Sequence, residues 1–144
     1  MESSIELTPS ECTALLASCR IGRIGVIVDG APLVLPVNYR WVIHDEQPFV
    51  VLRTRADNVI DRAPSSVAFE IDGIDEYHRT GWSVLVRGTL HHAVVDPSVR
   101  QLIDPDPWLA DERVSWLAIA AEQVTGRRLS AHEPEWAFHI RGYL

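Results

Sequence analysis

Two arginines and a threonine follow directly where an apolar run of the chain, residues 49–52, ends. The sequence there reads Arg53-Thr54-Arg55-Ala56-Asp57-Asn58, and Asp57 is placed to cap a short helix over residues 58–63. Guanidinium groups, a hydroxyl and the free N–H groups of a helix start are groups that bind phosphate. Residues 53–58, named here the arginine corner, therefore predict an anion site. Pairing of the arginines with Asp57 or Asp61 is the alternative that spacing leaves open.

Two apolar runs must position this corner. Residues 33–43 and 49–52 are separated by a polar break over residues 44–48, which has the length of a hairpin connection. The pattern predicts an antiparallel pair of strands that ends at the arginine corner. Pro36 lies inside the first run and cannot donate to a strand ladder. It predicts an edge, a bulge or a site where something other than a strand approaches.

The other segments are short and mostly of strand character. A capping box with proline at the first helical position, Thr8-Pro9-Ser10-Glu11, begins a helix. Residues 114–124 fit both a helix and a strand. Six short strands between turns favour a β-barrel or a sandwich. The remaining predictions are a helix over 9–18, strands over 20–28, 66–72 and 82–90, a hairpin turn at Asp29-Gly30, a loop over 73–81 and a helix over 97–103.

Composition narrows the classes of partner. The chain has 144 residues and a net charge of −7, and all of its 13 cationic side chains are arginines. A duplex-binding surface needs a basic face, so nucleic acid is not expected as a partner. The polar, acidic start and the lack of an apolar run of ~20 residues predict a cytoplasmic protein without membrane contact. Cys12 and Cys19 would lie about 10 Å apart on a helix, too far for a disulfide.

Several common kinds of site lack their signatures. His91 and His92 are adjacent, so in a strand they point to opposite faces and do not chelate one ion. No metal site is predicted. The chain also lacks the Gly-x-Ser-x-Gly turn of a serine hydrolase, a phosphate loop and a dinucleotide-binding glycine pattern.

Several segments in order resemble one known family, the pyridoxamine 5′-phosphate oxidase-like flavoproteins, also called the FMN-binding split-barrel superfamily. Within it, the short actinobacterial members related to nitroimidazole-resistance proteins are the most similar. The most specific match is the long stretch Arg79-Thr80-Gly81-Trp82-Ser83-Val84-Leu85-Val86-Arg87-Gly88. The other matching segments are Gly22-Arg23-Ile24-Gly25-Val26, Pro36-Val37-Asn38-Tyr39, Leu52-Arg53-Thr54, Val67-Ala68-Phe69-Glu70-Ile71-Asp72 and Val124-Thr125-Gly126.

The resemblance implies a mainly β fold, a six-stranded antiparallel split β-barrel with a few short helices. It implies a single FMN-binding domain over residues 1–144, with the barrel over about 7–129 and a C-terminal tail over 130–144 that carries Trp136, Phe138 and Ile140 at strand spacing. Residues 114–124 then become the last barrel strand. The family also implies a homodimer with two flavin sites at the subunit interface.

The same resemblance implies which residues bind the cofactor. The segment matching residues 34–39 runs beside the flavin ring, and Arg53 and Thr54 match positions near the ribityl and phosphate groups. Asn58 stands where relatives often carry lysine, so one phosphate cation is lost. Either Arg55 replaces it or FMN binds weakly. The implied cofactor-binding set is Val34, Leu35, Pro36, Val37, Asn38, Arg53, Thr54, Arg55, Asn58, Trp82 and Ser83.

The function implied is an FMN-dependent oxidoreductase that acts on an unidentified small molecule. A flavin carries the redox chemistry itself, while the protein orients it and excludes water. No residue is therefore assigned as catalytic. Two alternatives use the same fold: a reductase that depends on the deazaflavin coenzyme of actinobacteria, and a flavin-binding protein without catalysis.

Overall fold

The computed structural model of the chain describes residues 2–105 and 114–131. These residues form a mostly β structure with two helices. The elements are β1 (Glu2–Glu6), α1 (Pro9–Ser18), β2 (Ile21–Val28), β3 (Ala31–Asn38), β4 (Arg40–His44), β5 (Gln47–Arg55), β6 (Ser65–Asp75), β7 (Thr80–His92), α2 (Arg100–Ile103) and β8 (Val114–Ala131).

The strands form one antiparallel sheet of eight strands. The order is β3-β2-β6-β7-β8-β5-β4, and β1 pairs with the far end of β8. The sheet is split-barrel-like and not closed, and its two ends are the consecutive strands β3 and β4. The predicted mainly β antiparallel split barrel is confirmed, with eight strands in place of six. One added strand is β1, and the other arises because the run over residues 33–43 is divided.

The inner face of the sheet holds the core. Side chains alternate along β6 and β7, so that Phe69 and Ile71 point inward with Val84 and Val86. Helix α1 covers one end of this core through Cys12 and Leu16. Its close approach to β8 depends on Gly126, where a Cβ atom would lie 2.7 Å from Cys12 Sγ. Both cysteines are free, as predicted.

Tyr39 divides the run that the sequence pattern predicts as one strand. It is fully buried, its N–H donates to the carbonyl oxygen of Arg20 at 2.9 Å, and its hydroxyl donates to the carbonyl oxygen of Leu16 at 2.6 Å. Its ring packs edge-on against Phe69 with centroids 4.7 Å apart. These contacts hold the chain where it leaves one end of the sheet for the other. The prediction of a single strand over residues 33–43 was therefore wrong, although its second half does pair with β5.

Two of the local predictions are confirmed at their boundaries. Helix α1 spans Pro9–Ser18 and has the predicted capping box, in which Thr8 and Glu11 exchange hydrogen bonds. Asp29 and Gly30 both have positive φ, 51° and 80°, as a two-residue hairpin turn between β2 and β3 requires.

The helix predicted over residues 58–63 is absent, and the chain there forms turns. The N–H of Asn58 donates to the carbonyl of Arg55, and the Asn58 side-chain oxygen accepts from the N–H of Ile60 at 3.1 Å. An asparagine side chain that bonds nearby backbone competes with a helix, and Pro64 leaves too few residues to offset helix nucleation. The arginine corner therefore lacks the helix N-terminus whose free N–H groups were predicted to bind phosphate.

Other boundaries differ by a few residues. β6 continues to Asp75 and β7 begins at Thr80, so the predicted loop over residues 73–81 is reduced to a tight turn. The Asp75 carboxylate accepts from the N–H of His78 at 3.0 Å and closes this turn. Helix α2 begins at Arg100, three residues later than predicted, because Asp96 forms a side-chain turn with Ser98 first.

β8 confirms the strand implied by the family resemblance for residues 114–124 and continues past Gly126 to Ala131. The predicted tail therefore begins inside this strand, and Trp136, Phe138 and Ile140 lie outside the described residues. In the described part of the chain, no helix has the length and apolar character to span a membrane.

Candidate functional site

The two ends of the split sheet meet at the arginine corner. β3 contacts β5, and Arg40, two residues after the end of β3, lies opposite Val51. The chain passes from β3 to β4 at Tyr39, close to the strand that carries Arg53. The structure therefore brings the end of β3 and the end of β5 together, as the cofactor-binding prediction for these segments needs.

β3 is an edge strand, because it pairs only with β2 among the described strands. The N–H of Tyr39 donates to the carbonyl oxygen of Arg20, its partner across the β2–β3 pair. Every second residue of β3 bonds to β2 from that point on, so the backbone groups of Val34 and Pro36 point away from β2 to the open edge. Pro36 therefore removes no bond from the ladder, and the prediction that it lies at an edge is confirmed. The edge presents backbone groups toward the split.

The five predicted residues of β3 divide between its two faces. The side chains of Leu35 and Val37 pack against the core. Val34 points outward with 64% of its surface exposed, and Pro36 lies on the same outer side. A ligand at this edge would therefore contact the backbone groups and the side chains of Val34 and Pro36, while the backbone groups of Leu35 and Val37 bond to β2.

Arg53 is held by an aspartate that follows α2. Its Nη1 donates to Asp104 Oδ2 at 2.9 Å, and its guanidinium lies 5.8 Å from the ring centre of Trp116, its neighbour on β8. The Arg53 Nε is buried and has no hydrogen-bond partner among the described residues. The guanidinium is thus positioned on one side by a carboxylate and on another by an aromatic face, with donor capacity left over.

Arg40 joins the same cluster and was missed by the sequence prediction. Its Nε donates to the carbonyl oxygen of Asp104 at 2.8 Å. Arg40 and Arg53 lie on one face of neighbouring strands, because Arg40 pairs with Val51, two residues before Arg53. The pairing of β4 with β5 shows that the two arginines are close. The signal in the sequence was the position of Arg40 directly after Pro36-Val37-Asn38-Tyr39. Arg40, Arg53, Asp104 and Trp116 are named here the Asp104 cluster.

The rest of the arginine corner is more exposed. Arg55 Nε lies 3.3 Å from Asp57 Oδ1, so the alternative of pairing with Asp57 holds for this arginine. Thr54 is half-buried beside Ser115, and Asn58 is exposed in the turn. Asp61 instead accepts from the Ser115 hydroxyl at 3.1 Å. As a test of fit for a phosphate, the corner supplies cations and a hydroxyl, but Arg53 and Arg55 each already face a carboxylate.

Trp82 and Ser83 lie away from this corner within one chain. Ser83 pairs with Arg127 on β8 and Arg53 pairs with Trp116, so about 35 Å of strand separates them. Trp82 packs against the core and over Gly73, where a Cβ atom would lie 2.5 Å from its indole nitrogen. One chain does not bring these two residues to the predicted flavin site.

The outer face near Ser83 carries a carboxylate pair. Glu70 and Asp72 share Arg23, whose Nη1 lies 3.4 Å and 3.0 Å from them. Burial, followed by the hydrogen bond and the negative charge of Asp72, raises the pKa of Glu70 to about 7, although Arg23 opposes the shift. Glu70 therefore titrates near neutral pH.

A groove of about 420 Å³ opens on the same outer face, away from the arginine corner. Gly25 and Ala68, which pair between β2 and β6, leave space for it, and exposed Ile27 and Val34 line it. Arg87 at its other side makes no hydrogen bond or ion pair to any residue of the described ranges. The full lining is Gly25, Val26, Ile27, Pro32, Leu33, Val34, Ser66, Val67, Ala68, Arg87, Gly88 and Glu122.

Comparison with known proteins identifies the family. The family model described as pyridoxamine 5′-phosphate oxidase matches residues 8–128. This chain belongs to that family. An uncharacterized protein of Mycobacterium tuberculosis is 35% identical over 138 residues, which cover 88% of this chain and 86% of the relative. The family prediction from the motifs is confirmed.

Solved structures extend the comparison for this member of the pyridoxamine 5′-phosphate oxidase family. The FAD binding protein from Mycobacterium smegmatis is 32% identical, with a TM-score of 0.72 and coverage of 89% of this chain and 100% of that chain. A candidate 5-nitroimidazole antibiotic resistance protein from Bacteroides thetaiotaomicron is 13% identical, with a TM-score of 0.67 and coverage of 90% and 89%. The second likeness shows the fold alone.

Proposed function

We propose that this member of the pyridoxamine 5′-phosphate oxidase family binds FMN at the split between β3 and β5 and acts as a flavin-dependent oxidoreductase on a small molecule. The observation that carries the proposal is the meeting of an edge strand, β3, with the arginine corner at the end of β5. The family and the name of the Mycobacterium smegmatis relative, an FAD binding protein, support a flavin as the ligand.

The residues have distinct roles in this proposal. Backbone groups of Val34 and Pro36 on the edge of β3 would hydrogen-bond the polar edge of the ring. Arg53 and Thr54 would hold the phosphate, for which a guanidinium is a bidentate donor. A bound flavin supplies hydride acceptance and electron transfer, while these residues orient it and exclude water. No side chain is proposed as an acid or base.

A homodimer is part of the proposal. Within one chain Ser83 is far from Arg53 along β8, so a second copy would have to bring Trp82 and Ser83 to the ring. The exposed Ile27 and Val34, 62% and 64% accessible on one face, support burial of that face by another copy. The cytoplasm is the proposed compartment, since two free cysteines suit a reducing environment.

The spectrum of the purified protein tests the cofactor. Absorbance near ~450 nm is expected for a flavin, near ~420 nm for the deazaflavin coenzyme, and neither band for an empty site, because the cofactor sets these positions. Titration with FMN and FAD then ranks the two flavins. A protein that binds neither flavin nor deazaflavin contradicts the proposal.

Turnover separates an enzyme from a flavin-binding protein. The flavin-loaded protein is expected to oxidise a reduced nicotinamide with a nitroaromatic acceptor faster than free FMN does at the same concentration. Light scattering on the same sample should give twice the mass of the 16.2 kDa chain. Binding without turnover over free FMN would leave the non-catalytic alternative, and a monomer with full flavin affinity would remove the role of the second copy.

A further inference from the structure

The Asp104 cluster has more positive than negative charge among the described residues. Arg53 and Asp104 form an ion pair at 2.9 Å, and their side chains are 23% and 31% exposed. Arg40 is also half-buried, but its Nε donates to the main-chain carbonyl of Asp104 and not to a carboxylate. In the described part of the chain no carboxylate lies within ion-pair distance of Arg40. Asp104 therefore holds both guanidinium groups, Arg53 through its carboxylate and Arg40 through its main-chain carbonyl, and only the Arg53 charge faces a carboxylate in the described ranges.

The same cluster has unused donors. The Arg53 Nε is buried and finds no hydrogen-bond partner in the described ranges, and a buried donor without a partner is unfavourable. The Arg53 guanidinium lies over the Trp116 ring, 5.8 Å from its centre. An anion with several acceptor oxygens would satisfy these donors better than one carboxylate does.

We propose that Arg40, Arg53 and Trp116 form a subsite for a phosphate monoester and that the Asp104 carboxylate is its internal occupant, which the ligand phosphate displaces. Asp104 holds the position on Arg53 Nη1 that a phosphate oxygen needs, so the two anions compete. A phosphate dianion in place of Asp104 would balance the two guanidinium charges. This inference rests on the proposed function, because the phosphate is taken to be that of the flavin.

Riboflavin provides the decisive probe, since it has the ring of FMN and lacks the phosphate. The purified full chain is titrated with FMN and with riboflavin, as the wild type and as Asp104→Asn, Arg40→Ala and Asp29→Asn. The last variant removes one charge at the exposed β2–β3 turn, where positive φ suits asparagine, and is the matched control. Competition with inorganic phosphate is measured on the wild type, so that one arm does not depend on the folding of a variant.

FMN should bind wild type at least about tenfold more tightly than riboflavin. Asp104→Asn should tighten FMN by about threefold to tenfold and Arg40→Ala should weaken it about tenfold, with riboflavin changed less than about twofold. Inorganic phosphate should compete with FMN and not with riboflavin.

The failures are distinguishable. If neither flavin binds, the proposed function fails and the subsite with it. Equal affinity for FMN and riboflavin in the wild type overturns the subsite alone. Weaker FMN binding in Asp104→Asn, or a similar gain in Asp29→Asn, overturns the role of Asp104 as a competitor.

Discussion

The two faces of the sheet differ in which polar groups they carry and in how those groups are paired. On the inner side no charged residue is buried in the described chain, and Tyr39 has partners for both its N–H and its hydroxyl. On the outer side Arg53, Arg23 and Arg55 are half-buried or exposed, and each faces a carboxylate. The inner face is mainly apolar, and its fully buried Tyr39 is hydrogen-bonded, although the indole N–H of Trp41 is buried without a partner among the described residues. The outer face holds charged groups in partly exposed ion pairs.

The largest expected effect is on the inner face. Tyr39→Ala should lower the free energy of unfolding by about 3–5 kcal/mol, because it removes a buried ring together with the hydrogen bond to Leu16. Urea denaturation measures the change. The control is Tyr77→Ala, at an exposed ring, which should stay within about 0.5 kcal/mol of the wild type. Similar losses for both variants would break the contrast between the faces.

The next effect is on ligand binding at the outer face. Arg53→Ala should weaken FMN binding by about 1.5–3 kcal/mol, because it removes a charged hydrogen-bonded contact. Fluorescence titration measures the affinity, and Arg128→Ala, an exposed arginine at the opposite end of β8, is the control. An affinity equal to that of the control would remove Arg53 from the site.

A smaller effect is expected in the pH dependence of the free energy of unfolding. The folded-state pKa of Glu70 lies near 7, above its ordinary value of 4.5, so stability is full below about pH 4.5 and declines as pH rises toward 7. Glu70→Gln should remove this decline, by about 1 kcal/mol or less because the carboxyl is partly exposed. Urea denaturation from pH 4.5 to 7.5 checks it. Parallel pH profiles for the variant and the wild type would show that the burial of Glu70 has no such cost.

The smallest expected effect concerns Arg55. Its ion pair with Asp57 is open to solvent, with 49% and 62% of the two side chains exposed. Arg55→Ala should therefore change the free energy of unfolding by less than about 1 kcal/mol, as is usual for surface pairs. Thermal denaturation at low and high salt measures it. A larger loss that disappears in salt would place Arg55 with the structural charges.

Local patterns predicted much of the fold. The capping box of α1, the turn at Asp29-Gly30 and the strand alternation in β6 and β7 involve neighbours in sequence, so their signals lie within a few residues. The helix predicted after Asp57 failed within the same range, because the Asn58 side chain bonds to nearby backbone. The sequence predicted only part of the site. Arg53 was visible, but its partners Asp104 and Trp116 are 51 and 63 residues away in sequence.

The sequence by itself determined that this chain is a β-rich member of the pyridoxamine 5′-phosphate oxidase family with cations at a strand end. Only the tertiary structure decided that Tyr39 sends one apolar run to both ends of the sheet, and that Asp104 lies on Arg53. The physical reason is the separation along the chain of the residues in contact. Turns and caps are set by short contacts along the chain, whereas a strand's partner and a guanidinium's counter-ion depend on how distant strands pair.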